Sequence, residues 1–116
     1  MITTINGNLL EDDAQALVNP VNCDGVMPGG LARQFALRWP EILAPYAEDC
    51  RTGRLRMGRC TANRTSDGRT IVQFPTMPHP GMAARLEDIE TGLESLRALI
   101  ESDPDAYSSI AIPALG

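Results

Sequence analysis

Two loops of this sequence contain residue types that can do chemistry. In residues 19–31 three glycines lie between an apolar run and a helical pattern, and glycine backbone at a strand-to-helix junction can approach a phosphate. Asp24 in the same loop could activate a water, and His79 in residues 75–81 could act as an acid or base. Each feature also has a plainer interpretation. The glycine-containing loop can be a simple connection, Asp24 a turn former beside glycine, and His79 a solvated loop histidine.

The composition excludes several chemistries. All ten basic residues are arginine, so the sequence has no lysine for a Schiff base or a phosphate-loop contact. A single histidine excludes a multi-histidine metal site, and we predict neither a metal nor a cofactor. The net charge of −5 argues against affinity for nucleic acid driven by global charge, although a local arginine-lined site remains compatible with it.

The length of 116 residues predicts one domain. No apolar run has the length of a signal peptide or a membrane span, so we expect no membrane association. The three cysteines, an odd number without close spacing, favour reduced thiols and a cytoplasmic location: Cys23, Cys50 and Cys60.

Apolar periodicity predicts the elements that position the loops. Short apolar or β-branched runs predict strands over residues 2–5, 16–19, 55–62, 70–74 and 109–112. Four-residue spacing predicts a helix from Leu31 to Trp39, which Pro40 ends, and a second helix that Gly53 closes. The apolar face predicted for a third helix consists of Leu86, Ile89, Leu93, Leu96 and Ile100.

The order of these elements predicts the fold class. Asp67-Gly68 is a strong hairpin signal between the third and fourth predicted strands. The alternation β–β–α–α–β–β–α–β indicates an α/β layered fold with a mixed sheet. Ligands of such sheets bind beyond the strand ends, which places a site in loops 20–30, 75–81 and 113–116.

Several segments, in the same order along the chain, resemble macrodomains. Residues 16–35, ALVNPVNCDGVMPGGLARQF, resemble the first ligand loop of the branch that contains DarG-type antitoxins and terminal ADP-ribose glycohydrolases. Further matches are GNLL at 7–10, FPT at 74–76, RLEDIETGL at 85–93 and SIAIPALG at 109–116. The resemblance covers essentially the whole chain and implies a three-layer α/β/α macrodomain, apparently truncated at its C-terminus.

The resemblance also implies an ADP-ribose site. Gly7, Asn8 and Leu9 would lie near the adenine, and Asn22 would reach the distal ribose, because an amide both donates to and accepts from hydroxyls. A turn-forming role explains Asn22 equally simply. The resemblance implies further contacts with the ribose and the diphosphate from Gly25, Val26, Met27, Gly29, Gly30 and Leu31. It also implies a ligand contact from Thr76 and the start of a second phosphate loop at Leu115 and Gly116.

Three departures from the family pattern bear on catalysis. The glycohydrolases of this branch have a lysine directly after Phe-Pro-Thr, and here that position is Met77. Pro28 replaces a glycine of the first loop and removes one backbone N–H. The sequence stops at Gly116, so we expect the family's next segment, a second phosphate loop that supplies an acid in some relatives, to be missing.

Three functions are compatible with these observations. The first is a DarG-like enzyme that removes ADP-ribose from modified DNA bases, with Asn22, Asp24 and His79 as candidate catalytic residues. The second is a non-catalytic reader of ADP-ribose or of an ADP-ribosylated macromolecule, which could sequester the product of a cognate ADP-ribosyltransferase toxin. The third is a degenerate copy that acts by protein–protein contact. Six arginines between residues 51 and 69 are either a basic strip for ADP-ribosylated nucleic acid or solvated strand faces.

Overall fold

The computed structural model describes residues 2–4 and 8–115. The strands are β1 (Ile2–Thr4), β2 (Ala16–Val21), β3 (Thr61–Arg64), β4 (Thr70–Pro75) and β5 (Ile110–Ile112). The helices are α1 (Gly30–Arg38), α2 (Leu43–Thr52) and α3 (Leu86–Ser102). Short 3₁₀ turns lie at Leu9–Glu11, Pro40–Ile42 and Pro104–Tyr107. The predicted order of strands and helices is confirmed.

The strands form one mixed sheet in the order β1-β5-β2-β4-β3. The β1–β5, β5–β2 and β2–β4 pairs are parallel, and the hairpin of β3 and β4 around Asp67-Gly68 is antiparallel. Since β2, β4 and β5 are parallel, their carboxyl ends lie at one edge of the sheet. The loops that follow them therefore meet at that edge.

Alternating side chains of the strands supply two cores on opposite faces of the sheet. Leu17 and Ile71 pack with residues of α1 and α2, among them Phe35 and Tyr46. Ala16, Val18, Val72 and Phe74 pack with Leu96 of α3 on the other face. The molecule is thus the expected three-layer α/β/α sandwich.

The structure corrects the predicted extents of two strands. The strand expected over residues 55–62 begins at Thr61, because residues 56–59 form a tight turn instead. The strand expected to stop before Pro20 continues to Val21. Val21 O accepts the Thr76 N–H on the β4 side, so the missing donor of Pro20 faces the β5 side, where pairing ends at Leu17.

The apolar face predicted for α3 is wrong in part. Leu86 is 74 % exposed and Leu93 is 42 % exposed, whereas Leu96 is buried. The helix contacts the sheet through Gly92, where an added Cβ would lie 2.5 Å from Phe74 Cζ. The close approach at glycine turns the helix so that Leu86 and Leu93 face outward.

Two further observations concern the cysteines and the helices. Cys23, Cys50 and Cys60 are free thiols, and burial raises the pKa of Cys60 to about 12. Within the described ranges, no helix is both long and apolar enough to cross a membrane.

Candidate functional site

A cavity of about 580 Å³ opens at the carboxyl ends of β2, β4 and β5. It is bounded by all three loops that the sequence singled out. The first loop and α1 contribute Pro20, Val21, Asn22, Pro28, Gly29, Gly30, Leu31 and Ala32. The other two loops contribute Thr76, Met77, Pro80, Gly81, Ala114 and Leu115, and Ala84 follows the second loop. Most of these side chains are apolar, and Asn22 and Thr76 are the polar side chains among them.

The start of α1 presents backbone donors to the cavity. Gly29 precedes the helix in an extended conformation, and the first helical hydrogen bond runs from Arg33 N–H to Gly29 O. The N–H groups of Gly30, Leu31 and Ala32 therefore precede the intrahelical bonds. Because a Cβ at Gly29 or Gly30 would meet nothing within 4 Å, this backbone is open to a ligand. Such a helix start favours a phosphate.

Asn22 is almost fully buried, at 6 % exposure, and its side chain holds the first loop together. Its Nδ2 donates to Val26 O at 2.9 Å, and its Oδ1 accepts from the Asp24 N–H at 2.8 Å. Nδ2 has a second hydrogen, and Asn22 lines the cavity. The turn-forming role and the binding role weighed for this residue are therefore compatible.

Tyr46 of α2 is a site residue that sequence reasoning did not find. Its hydroxyl lies 2.8 Å from Asn22 O and 2.9 Å from Asn22 Oδ1, and the ring is fully buried. Burial raises the pKa of Tyr46, so the hydroxyl stays protonated as a donor. The sequence showed Tyr46 only as an apolar helix position, with no sign that it reaches a loop 24 residues earlier.

The second loop places Met77 in the cavity wall. The neighbouring Thr76 is buried, and its N–H is held by Val21 O at 2.9 Å. A thioether can neither form a Schiff base nor donate a hydrogen bond to an oxyanion. Lysine chemistry is therefore absent from this wall.

Asp24 and His79 form a pair outside the cavity wall. His79 Nδ1 lies 2.9 Å from Asp24 Oδ1 and 3.1 Å from Oδ2, and both side chains are substantially exposed. A backbone bond from Cys23 N–H to Pro78 O, 3.1 Å long, runs beside this pair. Together these contacts tie the first loop to the second.

Other predicted ligand residues lie away from the cavity lining. Met27 is buried with its Sδ 3.9 Å from Asn19 Nδ2, and Gly25 packs against Ala47 of α2. Leu9 is buried in the core, and Asn8 caps the first 3₁₀ turn by accepting the Leu10 N–H. Val26 is half exposed. Gly7 and Gly116 lie outside the described residues, and the roles given to all these positions stay predictions.

A buried chain of hydrogen-bonded side-chain amides lies behind the first loop. Asn19 Nδ2 donates to Gln73 Oε1 at 3.0 Å, and Gln73 Nε2 donates to Asn63 Oδ1 at 2.9 Å. The chain joins β2, β4 and β3 beneath Met27. It fixes the strands from which the first and second loops emerge.

Comparisons with known proteins agree with this geometry. The Macro domain family matches residues 18–116, and the chain belongs to that family. It is 40 % identical over 120 residues to a DNA ADP-ribosyl glycohydrolase of Mycobacterium tuberculosis, an alignment of the whole chain with 33 % of that protein. The chain thus spans about one third of the length of the DNA ADP-ribosyl glycohydrolases it matches.

Solved structures show the same fold. The macrodomain of Thermus aquaticus DarG superimposes with a TM-score of 0.90 and 37 % identity, covering 100 % of this chain and 78 % of that one. The macrodomain of Mycobacterium tuberculosis DarG gives a TM-score of 0.90 and 38 % identity, covering 100 % and 77 %. The predicted macrodomain fold of the DarG branch is confirmed.

Proposed function

We propose that the cavity binds the ADP-ribose unit of ADP-ribosylated DNA. The observation that carries the proposal is the juxtaposition of the open N-terminal backbone of α1 with the Asn22 amide on one cavity wall. The backbone N–H groups at the start of α1 suit a diphosphate, and the Asn22 amide suits ribose hydroxyls. Similarity to DNA ADP-ribosyl glycohydrolases at 37–40 % identity supports DNA as the modified macromolecule.

The wall at Met77 favours recognition without lysine-dependent hydrolysis. With the diphosphate at residues 29–31, the anomeric carbon of the distal ribose would face the second loop. Met77, which lines the cavity, would then give that carbon an apolar neighbour instead of an amine. We therefore propose a reader of the modification as the function that the geometry supports best.

A reader of this kind would act inside the cell against a modifying enzyme. By covering the ADP-ribose unit it would sequester the product of a cognate ADP-ribosyltransferase toxin. Such a role requires access to DNA and hence a cytoplasmic location.

Calorimetric titration with free ADP-ribose tests the binding proposal. We expect saturable heat and a thermal shift of the protein, both abolished or weakened at least tenfold by Asn22→Ala. AMP is the matched ligand, since it lacks the distal ribose and one phosphate, and it should bind more weakly. Absence of heat and of a thermal shift at millimolar ADP-ribose would overturn the proposal.

Hydrolysis is the second candidate, and the 40 % identity to enzymes of that name favours it. In this reaction water adds to the anomeric carbon, the bond from that carbon to the base nitrogen breaks, and the base nitrogen takes a proton. Mass spectrometry of an ADP-ribosylated oligonucleotide incubated with the protein measures it directly. Multiple turnover by the unmodified protein would replace the reader proposal with the enzyme proposal.

A further inference from the structure

A tight turn beside the first loop brings two arginines together. Arg59 N–H donates to Arg56 O at 2.8 Å, and Gly58 has φ +83°, which a β-turn with glycine at its third position requires. The ends of such a turn lie within about 7 Å of each other. Both arginine side chains are exposed. Two exposed arginine side chains thus begin close together, and an anion bound by both would offset their mutual repulsion.

The structure separates these two arginines from the rest of the arginine-rich span. Arg51 pairs with Glu48, and Arg54 pairs with Asp49. Arg64 donates to Thr70 Oγ1, and Arg69 donates to Asp12 O.

Arg56 and Arg59 have no carboxylate partner among the described residues. Arg56 Nη1 donates to a backbone oxygen, Gly53 O, at 3.0 Å. Arg64 and Arg69 also lack a carboxylate partner, but they lie at the amino end of β4, away from the cavity, since Arg64 is opposite Thr70. Of the six arginines considered as a basic strip, Arg56 and Arg59 are therefore the two at the cavity edge without a carboxylate partner.

The turn lies at the cavity edge of the sheet. Because β3 is antiparallel to β4 with Thr61 opposite Gln73, the residues before Thr61 lie at the carboxyl end of β4. Met57, between the arginines, has its Sδ 3.6 Å from Sγ of Cys23, the residue after Asn22. The turn thus packs against the loop that lines the cavity.

Two carboxylates lie near the same part of the first loop. Both Asp24 and Asp88 act on the Cys23 thiol electrostatically. Asp24 is bonded to His79, and neither Asp24 nor Asp88 forms an ion pair with Arg56 or Arg59. In a chain of net charge −5, the turn is therefore a local positive site at the cavity edge. A polyanion can approach the cavity there, because the two arginines are not paired with carboxylates.

We propose that Arg56 and Arg59 bind the phosphate backbone of the DNA strand whose ADP-ribose unit occupies the cavity. The inference rests on the proposed function, because it concerns the nucleic-acid part of the same ligand. Arginine suits the task, since its planar fork binds phosphate oxygens bidentately. The pair would distinguish ADP-ribosylated DNA from free ADP-ribose.

The test compares three probes on the same proteins. These are free ADP-ribose, a labelled single-stranded oligonucleotide with one ADP-ribosylated base, and the unmodified oligonucleotide. For the double variant Arg56→Gln/Arg59→Gln we expect at least tenfold weaker binding of the modified oligonucleotide and an unchanged Kd for free ADP-ribose. The slope of log K against log salt should fall by about 1.4, from about 0.7 per lost single-strand phosphate contact.

The controls use the neighbouring arginines and a charge-preserving change. Arg51→Gln/Arg54→Gln removes the same charge from paired positions and should change binding less than twofold. Arg56→Lys/Arg59→Lys should keep the salt slope. If the wild-type protein cleaves the modified oligonucleotide, the same comparison is made on kcat/KM.

The outcomes separate this inference from the proposed function. If no protein binds free ADP-ribose, the proposed function fails. If all bind ADP-ribose and the Arg56/Arg59 variant binds the modified oligonucleotide as wild type does, the arginine inference alone is overturned. Equal losses in both glutamine double variants would also overturn it, since only overall charge would then matter.

Discussion

Asn22 forms most of its possible hydrogen bonds with other groups of the protein, and it still lines the cavity. Its Oδ1 lies beside two donors, the Asp24 N–H and the Tyr46 hydroxyl, and one Nδ2 hydrogen goes to Val26 O. Because these contacts fix the amide in one orientation, the direction of its remaining Nδ2–H is set before a ligand binds.

Removing the Tyr46 hydroxyl should loosen Asn22 without emptying the core. For Tyr46→Phe we expect the free energy of unfolding to fall by about 1–3 kcal/mol, since buried acceptors lose a donor. Affinity for ADP-ribose should fall with it, by several-fold in titration. Tyr107→Phe is the matched control: Tyr107 is buried on the opposite face of the sheet and should change neither quantity appreciably. Equal effects of the two substitutions would contradict the role of Tyr46.

The proposal of recognition without lysine-dependent cleavage depends on one residue, Met77. Introducing the lysine that the resemblance implies, with Met77→Lys, should create or raise release of ADP-ribose from an ADP-ribosylated oligonucleotide, measured by mass spectrometry. The new ammonium would lie at the cavity wall, where it can stabilise developing negative charge. Met77→Gln is the neutral polar control and should stay inactive. An unmodified protein already as active as Met77→Lys would show that the chemistry uses other residues.

At the scale of elements, the position of α3 depends on Gly92, which has no side chain to hold the helix away from the sheet. Gly92 lets the helix backbone approach Phe74 of β4, the strand that ends at the second loop. The helix therefore contributes to the site indirectly, by fixing the strand that carries Thr76 and Met77.

The close approach predicts an unfavourable Gly92→Ala substitution, although alanine has the higher helix propensity by about 1 kcal/mol. The added Cβ would lie 2.5 Å from Phe74 Cζ, so overpacking should dominate and lower stability by about 1–3 kcal/mol in urea unfolding. In a Phe74→Leu background the same substitution should cost less. A stabilising Gly92→Ala in the wild-type background would show that the helix shifts freely.

At the scale of the whole molecule, several buried acids titrate at high pH. Burial raises the pKa of Cys23 to about 11 and that of Cys60 to about 12, and it raises the pKa values of Cys50, Tyr46 and Tyr107 as well. In each case the folded state holds its proton more tightly than the unfolded chain does.

These shifts predict loss of stability at alkaline pH. Above about pH 9 the unfolded thiols lose protons that the folded protein retains, so the free energy of unfolding falls as pH rises towards about 12. Urea unfolding between pH 7 and 11 measures the slope. The variant Cys23→Ala/Cys60→Ala should give a shallower slope, and a slope equal to wild type would contradict the assignment to these thiols.

Local patterns were enough to predict the element order, the layered α/β fold and the three loops around the cavity. Turn residues, apolar spacing and helix breakers act on neighbours in the chain, so they can be read along it. The Asp67-Gly68 hairpin and the end of α2 at Gly53 are cases in point. The same patterns misplaced the start of β3 and the apolar face of α3, because a tight turn and a close helix–sheet contact decided those.

The sequence by itself determined the chemistry available to this protein: glycine backbone at a strand-to-helix junction, an amide beside it, and no lysine anywhere. Only the tertiary structure decided the partners of those groups. It placed Tyr46 on Asn22, joined Asp24 to His79, and left Arg56 and Arg59 without carboxylates while it neutralised Arg51 and Arg54. The physical reason is that which side chains meet depends on how the elements that carry them pack and turn.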